Sequence, residues 1–390
     1  MRTLFAAVVF FSASFVSAQN ISLTDQATIS VITCGPFQQE LYSAFGHSAI
    51  RVHDPAQGID EGYNYGVFDF DQPNFYLNFA KGFLYYKLGV YDYPRFRDYY
   101  IYHNRYIHEQ VLNLSQEQKQ KLYDYLTWNA LPQNQYYRYD YFYDNCATKI
   151  RDVVITALGN DVAFDGSYVT TDYSIRDLTD IYLQYQPWGD LGIDICLGLP
   201  MDKKASPYEY MFLPDYIESG FDHATLKRDS ATVPIVKEKI LVYESREEDF
   251  PGGIPHPLLV FGFVAAFTIS ISIWDIRRNK LSAWFDALLF GVTGSVGLLL
   301  FFLWFFTDHK AAANNLNIVW ALPTHIIAVF AFIKNPKWLR TYFLGTAILE
   351  ALLIVGWWFI PQQLNYALIP FVVALLVRAS LQFRLRPKAV

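Results

Sequence analysis

Residues 141–152 read YFYDNCATKIRD, a tyrosine-rich run that turns into Asp144-Asn145-Cys146. From Cys146 onward, apolar residues recur at 147, 150, 153, 154, 157 and 158, and Gly159-Asn160 follows. That spacing predicts an amphipathic helix with a stop signal behind it. Asp144 or Asn145 is a natural N-cap, so the cysteine falls in the helix's first turn. There the positive end of the helix dipole and the free backbone N–H groups favour an anionic sulfur. The same N–H groups can act as an oxyanion hole when a carbonyl is attacked. A cysteine so placed is a nucleophile or simple packing, and its surroundings decide which.

A nucleophilic cysteine needs a base and a group to orient that base. Upstream, ATISVITCG (27–35), HSAIRVHD (47–54) and YNYGVFDF (63–70) read as strands, with a turn at 55–62. Alternation puts His47, Ala49, Arg51 and His53 on one face of the second strand. His47, near that strand's start, is the base candidate. Asn64 on the next strand can orient it if the two pair side by side, with Asp69 and His53 as weaker alternatives. HEQVLNL (108–114) reads as a further strand. Residues 115–130 read as a helix opened by a capping box, Ser115 with Gln118. Eighteen of the 29 tyrosines fall between 63 and 143. They fit amphipathic packing, or an acyl-chain groove or a surface bedded in lipid headgroups.

The ends of the chain set its compartment. MRTLFAAVVFFSASFVSAQ has one early positive charge, an apolar run and then small residues, the layout of a signal peptide over residues 1–18. Apolar runs recur at about 257–274, 283–306, 317–333, 341–360 and 364–380, each near the length that crosses a bilayer. The breaks DIRRNK and KNPKWLR and the tail from Arg378 are basic, whereas TDHKAAANN and PQQ are not. The positive-inside rule makes the basic breaks cytoplasmic. The expectation is a bacterial inner-membrane protein, with residues 19–255 in the periplasm, a transmembrane domain over 256–390 and a cytoplasmic C-terminus. Residues 256–390 carry 11 Lys and Arg against 4 Asp and Glu, which leaves 20 against 33 in the rest. An acidic exported domain is a poor partner for nucleic acid.

Only three cysteines are present, Cys34, Cys146 and Cys196, all in the exported part. An odd count there leaves at least one free thiol, and a Cys34–Cys196 disulfide is one open arrangement. His103, His108 and His223 show no metal-ligand spacing and read as structural or surface residues. No phosphate loop or CxxC occurs, so neither metal nor cofactor is expected.

TCGPFQQELYSAFGHSAIRVHD, NYGVFDF and YFYDNCATKIRD, followed by several spans, resemble the Lnb-type lipoprotein N-acyltransferases over nearly the whole mature chain. The order His first, Cys later is similar to permuted papain-like (NlpC-like) enzymes. The resemblance implies an α+β permuted papain-like extracytoplasmic domain followed by an all-α five-helix transmembrane domain. It implies that Cys146 carries the acyl group as a thioester and that His47 is its base, with Asn64 assigned only by its place on the following strand. The donor would be a phospholipid and the acceptor a diacylglyceryl lipoprotein, both held in the membrane. Asn145, Arg51 and Tyr143 near the pair, and Asp308, His309 and Asn315 at the outer ends of the spans, are the expected substrate-contacting residues. His325 and Glu350 lie deeper, where an ionisable group is a functional candidate or is satisfied by another helix. Two rivals share the residues: a membrane-anchored cell-wall peptidase or amidase, and a non-enzymatic scaffold with a degenerate papain-like domain.

Overall fold

The computed structural model describes residues 21–68, 72–228, 231–246 and 254–386. The expected signal peptide and Asp69 lie outside the described residues. Strands β1 (Thr28–Cys34), β2 (His47–Asp54), β3 (Ile59–Val67), β4 (Leu84–Asp92), β5 (Ile107–Leu112) and β6 (Tyr136–Tyr139) build most of one large sheet. A small second sheet holds β7 (Val162–Ala163), β8 (Thr225–Arg228) and β9 (Ala231–Pro234). Strand β10 (Val236–Tyr243) returns to the large sheet, whose order is β10-β5-β1-β2-β3-β4-β6. Every pairing in it is antiparallel.

The central strands are covered on both faces. Helix α1 (Phe75–Lys81) precedes β4, and α2 (Tyr93–Tyr102) packs its Tyr93, Phe96 and Tyr100 against Ile32, Cys34 and Ala49. Ile29, Val31, Ile50 and Val52, one residue out of phase, point into the larger core. That core is closed by α3 (Gln116–Asn129) and α4 (Cys146–Leu158). The period-2 reading of β2 thus describes two packed faces rather than one wet and one dry. The Ser115–Gln118 capping box is formed. Helices α5 (Ile175–Leu183), α6 (Pro187–Cys196), α7 (Pro207–Tyr210) and α8 (Pro214–His223) complete the exported domain.

The helical region comprises α9 (Pro257–Arg278), α10 (Ala283–Phe306), α11 (His325–Ala331), α12 (Trp338–Gly356) and α13 (Ile369–Leu385). Four of its helical segments are long and apolar enough to cross a membrane. The third of the five expected runs departs from a continuous span: a 3-10 turn at Leu316–Val319 and Pro323 precede the seven-residue α11. Proline cannot continue a helix ladder, and irregular backbone at this depth must be buried in protein. Here it lies against α10, where a Cβ on Gly297 would stand 1.9 Å from the Ala321 carbonyl oxygen.

Side-chain amides join the two regions. Asn315 Nδ2 donates to the Ile195 carbonyl (2.8 Å), Gln362 Nε2 to the Leu197 carbonyl (3.0 Å) and Asn365 Nδ2 to Asp194 Oδ2 (3.0 Å). Arg176, fully buried, holds Asp194 at 2.7 Å and Asp202 at 2.9 Å. A charge removed from water needs such partners.

Candidate active site

Helix α4 begins at Cys146 because Asn145 caps it. The Asn145 Oδ1 accepts from the N–H groups of Ala147 and Thr148, both at 2.9 Å, and the Thr148 hydroxyl accepts from the Asn145 N–H at 2.8 Å. Asn145 Nδ2 donates to the carbonyls of Tyr141 (2.9 Å) and Phe212 (2.7 Å). Every polar atom of that amide is therefore engaged, and Asn145 fixes the start of the helix that carries the cysteine.

The half-buried Cys146 sulfur receives backbone N–H groups from Ser48, Ala147 and Cys146 itself. Ser48 directly follows His47, so the start of β2 and the start of α4 meet at the thiol. Gly66 on β3 completes the approach: its φ is +91°, and a Cβ there would lie 3.4 Å from Cys146 Cβ.

His47 Nε2 lies 2.6 Å from Asn64 Oδ1. A carboxamide oxygen only accepts, so Nε2 carries the proton and Nδ1 is left as the acceptor. The ring stacks on Tyr100 at 6.1 Å between centroids, with 13° between planes. Burial pushes the His47 pKa down to about 4; the Arg105 charge acts in the same direction and the Asn64 contact opposes it. Burial pushes the Cys146 thiol up, against the pull of the three N–H groups and Arg105. Both shifts favour a neutral thiol and a neutral imidazole at neutral pH.

The remaining expected residues are placed elsewhere. Arg51 is engaged by Asp60 at 2.7 Å and Glu109 at 3.1 Å, with its guanidinium 4.0 Å from the Tyr93 ring centroid, so it ties strands together. Asp308 pairs with Arg138, and the His309 ring lies 3.1 Å from the Phe79 carbonyl, so both dock the membrane region onto α1. Asn315 is buried in the α6 contact already described. Of the six expected substrate contacts, Tyr143 stands exposed beside the helix start. His53 pairs with Thr28 and Asp60 at the other end of β2 from His47. His325 is buried in the helical bundle with Nδ1 2.7 Å from the Tyr342 hydroxyl, and Glu350 is buried there without a hydrogen-bond partner. Cys34, Cys146 and Cys196 are all free thiols, so of the arrangements left open the structure does not form the Cys34–Cys196 disulfide. Cys34 sits opposite His47 in the β1–β2 register, buried, with its pKa pushed up to about 12. Cys196 ends α6 at the contact with the helical region.

Arg105 was not legible as a site residue. It is 6 % exposed, donates from Nε to the Gly35 carbonyl at 2.6 Å and leaves Nη2 unpaired. Its guanidinium lies 4.5 Å from the centroid of Tyr100, the ring on which His47 stacks. Its only sequence signal was an arginine just before a strand.

A sheet-based domain with a thiol at a helix start, set on membrane-length helices, defines a membrane protein with an N-terminal α/β domain. Residues 15–180 match the family model described as the Lnb N-terminal periplasmic domain, and residues 247–389 match the Lnb transmembrane domain. The chain belongs to the Lnb-type lipoprotein N-acyltransferase family. Comparison with curated proteins and with solved structures found no match.

Proposed function

We propose that the protein transfers an acyl chain from a membrane lipid ester to the N-terminal amine of a diacylglyceryl-cysteine lipoprotein, through a thioester on Cys146. The exported domain is read as permuted papain-like and periplasmic, the membrane as the bacterial inner membrane and the C-terminus as cytoplasmic. The observation that carries this reading is the 2.6 Å contact from His47 Nε2 to Asn64, which leaves Nδ1 as a base next to the backbone that touches the Cys146 sulfur.

The chemistry runs in two halves. Cys146 Sγ attacks the ester carbonyl carbon while His47 Nδ1 takes the thiol proton. Negative charge on the carbonyl oxygen is met by the Cys146 backbone N–H at the α4 start, which the Asn145 cap does not engage. The C–O bond breaks, and the imidazolium returns the proton to the leaving alcohol. The lipoprotein amine then attacks the thioester and gives a proton to His47. The C–S bond breaks, an amide forms and the thiol is restored. Asn64 holds the ring and stabilises its transient positive charge. Each half is proton-neutral and needs no oxidant.

The donor is taken to be a phospholipid, which releases a lysophospholipid. Mass spectrometry of lipoprotein N-termini, in cells lacking other N-acyltransferases, tests the reading. A phospholipid donor adds an N-acyl chain to a lipoprotein that keeps both glyceryl chains. Loss of one glyceryl chain on N-acylation would instead assign the lipoprotein's own ester as donor. Persistence of N-acylation in both Cys146→Ala and His47→Ala would sink the enzyme reading. A peptide fragment trapped on Cys146 would favour the peptidase.

A further inference from the structure

We propose that α1 and the beginning of β4 form a lip that enters the outer boundary of the bilayer and passes a lipid acyl chain along a row of tyrosines to Cys146. The proposal rests on the acyl-transfer reading for the role of Cys146, but the lip's contact with lipid stands independently of it.

Helix α1 buries none of its seven residues. Tyr76 is 77 % exposed, Leu77 53 % and Phe79 49 %, and Phe83 and Tyr85 continue the exposed apolar surface. A contiguous surface of this kind marks an interaction site. Its attachment identifies the partner. The Asp308 N–H donates to the Lys81 carbonyl at 2.9 Å, the His309 ring meets the Phe79 carbonyl, and Asp308 pairs with Arg138. Gly82 permits this approach, since a Cβ there would lie 3.1 Å from the backbone of Asp308 and His309. Asp308 and His309 directly follow α10, where Phe302, Phe305 and Phe306 are exposed on a membrane-length helix. The lip is thus pinned at the end of a lipid-facing surface, and its aromatic residues suit the boundary between headgroups and hydrocarbon.

Aromatic rings lead inward from there. Gln72 Nε2 donates to the Tyr85 carbonyl at 2.9 Å, fixing the segment before α1 to β4. Phe68 lies 5.4 Å from Tyr86, and Tyr86 stacks on Tyr139 at 4.2 Å. Tyr139 and Cys146 then flank the same glycine: a Cβ on Gly66 would lie 3.9 Å from Tyr139 Cε2 and 3.4 Å from Cys146 Cβ. The rings offer apolar faces to a chain, and the missing side chain at Gly66 leaves room beside the nucleophile.

The test uses the full chain in phosphatidylethanolamine–phosphatidylglycerol vesicles that carry a phospholipid with a diazirine in its acyl chain. After irradiation, adducts are located by mass spectrometry. Expected are adducts on residues 75–85 and on Tyr86 or Tyr139, in wild type and in Cys146→Ala alike. Adducts confined to α9–α13 would overturn the proposal, as would loss of the residue 75–85 adducts on formation of a dimer through that face. Replacing Tyr76, Leu77 and Phe79 together by Ser should raise KM for the lipid donor roughly tenfold. The rate of Cys146 alkylation should stay unchanged, and the single variant Leu77→Asp should shift KM in the same direction. An unchanged KM in a folded variant overturns the lip. If N-acylation survives Cys146→Ala while the adducts remain, the acyl-transfer reading fails and the lipid contact stands.

Discussion

The imidazole of His47 and the carboxamide of Asn64, on adjacent strands, meet through Nε2 and Oδ1 at 2.6 Å. The contact decides which ring nitrogen is free. Asn64→Ala should lower kcat by about ten- to a hundredfold, since a hydrogen bond to a charged group contributes ~1.5–3 kcal/mol. Far-UV circular dichroism should be unchanged. An Asn64→Ala enzyme with wild-type kcat would remove Asn64 from the mechanism.

The depressed His47 pKa sets a pH dependence of stability. The folded value of about 4 lies below the ordinary value of 6.5. Between these limits the unfolded chain binds more protons, so stability rises with pH through this window and is lost as pH falls toward 4. Denaturation at pH 4.5 and 7 should show a larger gain for wild type than for His47→Gln, on the order of 1–3 kcal/mol. Equal gains would count against a buried neutral imidazole.

Arg105 supplies positive charge where no carboxylate answers it. It pulls the Cys146 thiol down and the His47 imidazolium down. Arg105→Met should slow iodoacetamide alkylation of Cys146 at pH 8 by about three- to tenfold. Arg105→Lys should recover part of the rate. A purely structural arginine would lower the melting temperature and leave the alkylation pH profile in place.

Gly66 adopts φ +91° with Cys146 Cβ 3.4 Å from the position its own Cβ would take. Gly66→Ala should cost about 1–2 kcal/mol of stability from backbone strain. It should also reduce kcat at saturating lipid, because the added methyl group meets the nucleophile. Full activity in this variant would show that the strand yields without moving the thiol.

Asp180, Asp190 and Asp194 gather at a cavity of about 480 Å³ between the exported domain and the helical region. Burial, with the neighbouring Asp194 and Asp190 carboxylates, pushes the Asp180 pKa up. A carboxyl with a raised folded pKa binds more protons folded than unfolded, so stability falls as pH rises above the ordinary aspartate range. Asp180→Asn should therefore stabilise the protein at pH 8 relative to pH 5, by on the order of 1 kcal/mol. A variant less stable than wild type at pH 8 would contradict this.

Local signals carried much of the architecture. The cap, the apolar spacing of α4 and the Ser115–Gln118 box concern residues within a turn of each other, and the structure forms all three. The break in the third membrane run was not legible because hydropathy averages over Pro323 and cannot register that Gly297 makes room for bent backbone. The surroundings of the expected substrate contacts were hidden for a related reason. Arg51, Asn145, Asp308, His309 and Asn315 are polar residues near the right places, and their partners come from distant segments.

YFYDNCATKIRD by itself determined that a thiol starts a helix, because capping and helical period are local. The hydropathy and charge of the last third determined that the chain belongs in a membrane. Only the tertiary structure decided that Ser48 touches that sulfur, that Asn64 leaves the His47 Nδ1 free, and that the Arg105 guanidinium lies over Tyr100 with Nη2 unpaired among the described residues. Those relationships join β2, β3, α4 and the chain before β5, and a spacing within one segment contains no record of which segments meet.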